Sequence, residues 1–278
     1  MDRIEACRRW DRSRYIPFRV AGQDVGWVTH DFARRLQGFP KVFGVTQGAV
    51  AMLPGLGDFA GRSAAMAQAL EPLRQDGTIK GWRDEPYPVG TDFYAPALLQ
   101  MERAAVPLFG VRAYGVHVNG FTGDGPTLKL WVAKRSRSKQ TAPGKLDHLV
   151  AGGQPHGIGL MDNVVKECGE EAGMAAALAR TARPAGFVSY VTERVEGLRN
   201  DICFVYDIGL PADFKPVNED GEIEAFYLWP IGEVQERLSA TDDFKFNVAL
   251  VNIDFLVRRG YLSPDAAGYV DIVEGLRL

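Results

Sequence analysis

The sequence has few cysteines and no long apolar runs. Only Cys7, Cys168 and Cys203 occur among its 278 residues, and they form neither a CxxC pair nor a metal-ligand spacing. Three scattered cysteines argue against a disulfide framework and favour a reducing compartment. The N-terminus is charged and lacks a signal-peptide pattern, and no run of about 18 apolar residues could span a membrane. We therefore expect a cytoplasmic protein without a membrane partner.

The sequence also lacks a strong excess of charge of either sign. Its formal net charge is -3, with 46% hydrophobic and 24% charged residues, the balance of a soluble globular protein. The densest basic segment, Lys134 to Lys139, is short and alone is typical of a solvated loop. Nucleic acid is therefore not an expected partner.

The pattern of helices and strands changes near residue 110. Before it, short strands alternate with a helix predicted over 60–73 and another over 98–106, which Pro107 would stop. After it, longer strands surround a helix predicted over 161–172, with Gly173 as its left-handed cap. We expect an α/β (α+β) fold: a small N-terminal α/β domain, residues 1–110, and a second domain, residues 111–278, with a mixed sheet between helices.

The most informative segment is the acidic helix around residue 167. Glu167, Glu170 and Glu171 are spaced i, i+3 and i+4, so they share one helical face, while Cys168 lies on the apolar arc. Three glutamates alone are more often a solvated face. A Gly-Gly turn before the helix adds backbone oxygens, however, and Mg²⁺ pairs a few carboxylates with substrate phosphates. The pattern therefore indicates divalent-metal chemistry on a diphosphate.

This segment resembles the Nudix box. That motif is a glycine, five residues, a glutamate, seven residues, then Arg-Glu-apolar-any-Glu-Glu-any-Gly-apolar; here Gly152 takes the leading position and residues 166–174 match the right-hand part. The resemblance implies a metal-dependent hydrolase with Glu167, Glu170, Glu171 and Gly152 around Mg²⁺, Mn²⁺ being the alternative ion. Ile158 replaces the first glutamate and Lys166 the arginine, two groups that pair in the family and brace the loop.

The wider chain resembles one Nudix branch, which includes the hydrolase part of fungal thiamine pyrophosphokinase fusions and plant relatives. Tyr114-Gly-Val-His-Val-Asn-Gly and Asp220-Gly-Glu-Ile-Glu carry this resemblance, as does Gly81-Trp-Arg-Asp-Glu in the N-terminal region. It implies that thiamine diphosphate, or its oxidised (damaged) analogues, is cut to the monophosphate.

Three other functions stay open on the sequence. One is hydrolysis of ADP-ribose or a nucleoside diphosphate derivative, because the box does not encode the substrate. Another is a binding module without turnover, which the changes at Ile158 and Lys166 would allow. An isomerase of the same fold has little support, because it would need a cysteine in its cleft. A homodimer is left open.

Further candidates lie outside the box. Glu171 and Glu167, or a downstream carboxylate at Glu222 or Glu224, could act as the catalytic base. His117 and Asn119 alternate on one strand and are candidates for substrate contact. The remaining substrate-binding candidates are the preferred pair Lys145 and Asp147, together with Lys134, Arg135 and Lys139. Phe93, Tyr94, Trp27 and Trp82 could supply an aromatic wall if the N-terminal region covers the site.

Overall fold

A computed structural model describes residues 2–139, 141–219 and 221–277. The strands are β1 (Tyr15–Val20), β2 (Gln23–Thr29), β3 (Phe43–Val45), β4 (Val50–Met52), β5 (Pro86–Val89), β6 (Leu99–Glu102), β7 (Arg112–Thr122), β8 (Lys129–Arg135), β9 (Leu146–His148), β10 (Val150–Gly153), β11 (Arg183–Arg194), β12 (Gly197–Gly209) and β13 (Ile223–Pro230). The helices are α1 (Asp2–Glu5), α2 (His30–Leu36), α3 (Phe59–Gln75), α4 (Val106–Phe109), α5 (Leu160–Ala172), α6 (Ala176–Ala179), α7 (Ile231–Ala240), α8 (Phe246–Arg258) and α9 (Tyr269–Gly275). No helix in these ranges is both long and apolar enough to cross a membrane.

The N-terminal region, residues 2–110, contains a four-stranded sheet in the order β2-β1-β4-β3 and a separate β5-β6 ribbon. The predicted helix over 60–73 is confirmed as α3. The helix predicted over 98–106 is wrong. Leu99 and Met101 face the core with Gln100 between them, the period of a strand, and Pro107 lies in the first turn of α4 rather than ending a helix.

The second sheet has seven strands in the main order β11-β12-β7-β8-β13. It is mixed, because β7 runs parallel to β12 and antiparallel to β8 and β10. β7 and β8 pair only at Phe121 and Thr122, so β10 takes the place beside the rest of β7. This arrangement leaves β10 next to the helix α5 that follows it.

Helices cover both faces of this sheet. On one face, Val116 and Val118 of β7 pack in a common core with Val164 and Cys168 of α5. On the other face, α7 and α8 pack against β8, and α8 also packs against β11 and β12. The predicted sandwich of a mixed sheet between helices is confirmed.

Candidate active site

The three glutamates predicted to act together lie on α5. Its buried arc is formed by Val164, Cys168 and Ala172, as the spacing predicts. Gly173 ends the helix with φ of +59°, where a side chain would be strained. The side chain of Glu167 is 13% exposed, and Glu171 is buried.

Strand β10 approaches the glutamates through its backbone. A Cβ atom on Gly152 would lie only 2.1 Å from Cδ of Glu167, so glycine is required for this carboxylate to rest on the strand. Beside it, the N–H of Ala151 donates a 2.8 Å hydrogen bond to Oε2 of Glu171. Two box glutamates are thereby held against the strand that carries the leading glycine.

Burial disfavours negative charge at both carboxylates. It raises the pKa of Glu171 to about 8, while the Ala151 hydrogen bond and the Lys139 ammonium oppose the rise. Burial also raises the pKa of Glu167, against the opposing charges of Lys166 and Arg103. A cation bound nearby would stabilise the ionised form of both carboxylates.

Lys166 supplies one such cation from the chain itself. Its Nζ lies 3.1 Å from Oε1 of Glu167 and 2.7 Å from Oε2 of Glu170. The Lys166 side chain is 44% exposed, so its ammonium can move from the carboxylates into solvent. Lys166, which replaces the arginine of the box, therefore pairs with the glutamates and does not brace the loop.

Neutral groups brace the loop instead. Asn163 is fully buried, and its Nδ2 donates to the carbonyl of Gly153 at 2.7 Å and to Oε1 of Gln154 at 3.0 Å. The amide of Gln154 in turn donates to the carbonyl of Ile158 at 2.6 Å. These hydrogen bonds span the loop between β10 and α5, where the resemblance leads one to expect the missing glutamate–arginine pair.

The N-terminal region also contacts this loop. The N–H of His156 donates to the carbonyl of Pro86 at 3.0 Å, and the His156 ring stacks on Phe59. Tyr87 packs so closely on Gly153 that a Cβ there would lie 1.6 Å from its hydroxyl. Arg103 lies over the Tyr87 ring and forms a 2.7 Å ion pair with Glu85.

The two downstream carboxylates have different surroundings. Glu222 forms an ion pair with Lys139 and lies 4.0 Å from Arg83 of the N-terminal region. Glu224 forms a 2.9 Å ion pair with Lys134. Because the charge of Lys139 also acts on Glu171, the structure links Glu222, rather than Glu224, to the glutamate helix.

The preferred pair Lys145 and Asp147 is separated. Lys145 forms an ion pair with Asp242 at 3.2 Å and lines an open groove of about 560 Å³ together with Lys134. Asp147 is buried and pairs with Arg135 at 2.7 Å and with Lys245 at 3.4 Å. Although burial opposes it, these two cations hold the pKa of Asp147 below its usual range. This carboxylate and Arg135 therefore already satisfy one another inside the protein.

His117 and Asn119 lie on the sheet face opposite α5, because they alternate with the valines that pack against that helix. Asn119 donates to Asp207 at 2.9 Å, and Asp207 pairs with Arg258 of α8. Nδ1 of His117 lies 3.0 Å from Nδ1 of His148. This placement does not support the expected substrate contact, because both side chains belong to the buried core.

The same face holds a cluster with metal-ligand geometry, formed by His117, Asp147 and His148. Two features argue against a metal there. The two cations on Asp147 already neutralise it, and a third positive charge would be repelled. The Nδ1 atoms of the two histidines are at hydrogen-bond distance from one another.

Sequence reasoning missed Asn163, Gln154, Tyr87 and Arg103. Asn163 lies between Asp162 and Val164 on α5, so its burial has no clear signal in the sequence. Tyr87 and Arg103 are remote in sequence, and only the fold brings them to the box. The thiol of Cys168 lies in the core, and burial raises its pKa to about 12, so it stays protonated at neutral pH.

Known proteins resemble this chain along its whole length. Nudix hydrolase 20, chloroplastic, of Arabidopsis thaliana is 42% identical over 288 residues, which cover 99% of this chain and 77% of the relative. Nudix hydrolase 24, chloroplastic, of the same plant is 41% identical over 281 residues, covering 100% and 77%. The family model described as a domain of unknown function (DUF4743) matches residues 1–113.

Similarity to solved structures is weaker. A crystal structure of a protein from Deinococcus radiodurans matches with a TM-score of 0.45 and 22% identity, covering 64% of this chain and 98% of the other. At such a score, family membership rests on the plant relatives.

Proposed function

We propose that this chain, a member of the Nudix hydrolase family by its plant relatives, cleaves the diphosphate of thiamine diphosphate or of an oxidised (damaged) analogue to the monophosphate. The observation that carries the proposal is the glutamate face of α5, with Glu167 against Gly152 and Glu171 bound by Ala151.

The donor set of this face fits a divalent cation. Glu167, Glu170 and Glu171 offer hard oxygen ligands, and the Gly152 backbone comes close because it has no Cβ. Lys166 already shows that a positive charge is accommodated between two of the carboxylates. Bound Mg²⁺, with Mn²⁺ as the alternative, would neutralise the diphosphate and lower the pKa of a bound water.

The chain's own residues bind and orient the substrate phosphates. Arg103 lies over the Tyr87 ring, with its guanidinium carbon 3.4 Å from where a Cβ on Gly153 would be, and Lys139 pairs with Glu222. These two cations are the proposed phosphate contacts. Arg83 lies near Glu222 and is a third candidate. We prefer them to Arg135 and Asp147, which are buried in a pair with one another, and to Lys145, which lines the open groove.

For the catalytic base we propose Glu171, with Glu222 as the second candidate. Glu171 is fixed by a backbone hydrogen bond, so its free oxygen has a defined direction. Glu222 lies next to Lys139, whereas Glu224 is held by Lys134 beside the open groove.

We propose that residues 1–110 form a domain of their own, that the protein acts in the cytoplasm, and that its partner is a small-molecule diphosphate rather than nucleic acid. Light scattering on the purified protein would show whether it forms a homodimer.

A panel of substrates tests the proposed function. Phosphate release would be measured with Mg²⁺ from thiamine diphosphate, its oxidised analogue, ADP-ribose and nucleoside diphosphates. We expect release from the thiamine compounds and its loss without the metal. Turnover of ADP-ribose or nucleotides alone would overturn the substrate assignment. Binding without turnover of any compound would favour a non-catalytic module.

A further inference from the structure

We propose that the organic group of the substrate binds in the pocket between the N-terminal region and the loop of residues 154–158, and that this pocket selects a flat, positively charged nitrogen heterocycle. The inference deepens the proposed function and rests on it for the position of the diphosphate.

The pocket has a volume of about 200 Å³ and two walls from distant parts of the chain. One wall comes from the N-terminal region and includes Asp92 and Phe93; the other includes Gln154 and His156, and Tyr114 of β7 also lines the pocket. Pockets for drug-sized ligands typically measure about 300–1,000 Å³, so this one is small. That volume suits one or two small rings, not a dinucleotide.

The pocket adjoins the glutamate site through one loop. Gln154 follows the Gly152–Gly153 backbone and is tied by Asn163 to α5, the helix that carries the glutamates. A group in the pocket and a diphosphate on the glutamates would therefore lie on either side of the same loop. A substrate with a ring at one end and a diphosphate at the other matches this layout.

The pocket's chemistry favours a cation with an aromatic face. Phe93 packs edge-on against Tyr114 at 4.9 Å and against Phe204 at 4.9 Å, which fixes a rigid aromatic wall. Asp92 is the one carboxylate among the described lining residues, and none of these is a lysine or arginine. A cationic ring gains from both the aromatic wall and the carboxylate, whereas a neutral base gains from the wall alone.

Asp92 has an oxygen available for such a ligand. Its Oδ1 accepts hydrogen bonds from the N–H groups of Tyr94 and Ala95, both at 2.8 Å. Asparagine would keep this turn, because its side-chain oxygen can accept the same bonds, and would remove only the charge. Asp11 makes the same kind of turn with Ser13 and lies outside the pocket lining, so Asp11→Asn is the matched control.

Binding of thiamine, which carries the cationic ring without phosphates, tests the pocket separately from hydrolysis. Because Asp92 is exposed and Phe93 half-buried, we expect Asp92→Asn and Phe93→Leu each to weaken thiamine binding about two- to fivefold by calorimetry, while Asp11→Asn does not. Inorganic pyrophosphate with Mg²⁺ should bind all four proteins equally. Thiamine binding unchanged in both pocket variants, or adenosine bound as tightly as thiamine by the unaltered protein, would overturn the inference.

Kinetics separate this inference from the proposed function. In the pocket variants, KM for thiamine diphosphate should rise about two- to fivefold with kcat unchanged, because the ring contacts are equal in the ground and transition states. Hydrolysis with unaltered KM in both variants would reject the pocket and keep the function. Absence of hydrolysis by the unaltered protein, with thiamine binding still sensitive to Asp92→Asn, would reject the function and keep the pocket.

Discussion

Asn163→Ala tests whether a neutral network positions the glutamate helix. The change removes the donor from the Gly153 carbonyl and from the Gln154 side chain, both at hydrogen-bond distance in a buried site. Each buried acceptor left without a donor costs about 1–3 kcal/mol. We therefore expect a loss of about 3 kcal/mol in the free energy of unfolding, or roughly 6–12 °C in Tm for a chain of this class.

Activity should fall further than stability explains. Once the loop is released, Glu167 loses its fixed position over Gly152, and a displacement of about 1 Å can lower kcat/KM about 100-fold. The matched control is Asn119→Ala, a buried asparagine of β7 on the opposite face of the sheet whose Nδ2 donates to Asp207 at 2.9 Å. It should lower Tm while leaving kcat/KM and the Mg²⁺ dissociation constant unchanged.

A second experiment restores the glutamate–arginine pair that the Nudix box has at positions 158 and 166. Ile158→Glu together with Lys166→Arg, introduced into Asn163→Ala, should recover most of the lost kcat/KM. Denaturant unfolding, Mg²⁺ calorimetry and steady-state kinetics at a temperature where all variants are folded provide the comparison. If Asn163→Ala and Asn119→Ala lose similar stability and neither loses activity, the reasoning about the brace is refuted.

Three further predictions concern single groups. Gly152→Ala should weaken Mg²⁺ binding at least about tenfold with little change in Tm, because its Cβ displaces Glu167; unchanged calorimetry would contradict this. Mg²⁺ affinity should fall by up to about tenfold per pH unit from pH 8 to 6, because the ion displaces the proton from Glu171, whose pKa is about 8; a flat profile would count against that carboxylate as a ligand. Burial lowers the pKa of His148 from 6.5 to about 4, so unfolding takes up a proton and stability, fully present above pH 6.5, falls by up to about 1.4 kcal/mol per unit towards pH 4. His148→Asn should reduce this slope in urea titrations, and an unaltered slope would mean that other groups cause it.

The sequence predicted those elements whose pattern is local. The helix α5, its buried arc and its Gly173 cap follow from spacing and from the conformational freedom of glycine. The strand at Leu99 differs from the predicted helix because β6 has only four residues, Leu-Gln-Met-Glu, too few to distinguish alternation from helical spacing. Pairing with β5 stabilises the strand, and this pairing cannot be read from the sequence of β6 itself.

The same difference between local and distant contacts applies to the candidate site. The glutamates and Gly152 are contiguous in the motif, so the resemblance located them together. Contacts between residues distant in the sequence could not be predicted in this way. Tyr87, for example, packs on Gly153, which lies 66 positions further along the chain. His117 shows the converse, because alternation correctly predicts that it shares a face with Asn119 but does not say which face meets α5.

Metal-dependent phosphate release by wild type, Glu167→Gln and Glu171→Gln, with Glu236→Gln as an exposed glutamate control on α7, tests the central claim most directly. We predict Mg²⁺-dependent release from thiamine diphosphate by wild type and Glu236→Gln, and a loss of at least about 100-fold in kcat in the other two variants, all four proteins being folded. Equal rates in Glu167→Gln, Glu171→Gln and wild type would contradict the assignment of this glutamate face as the active site.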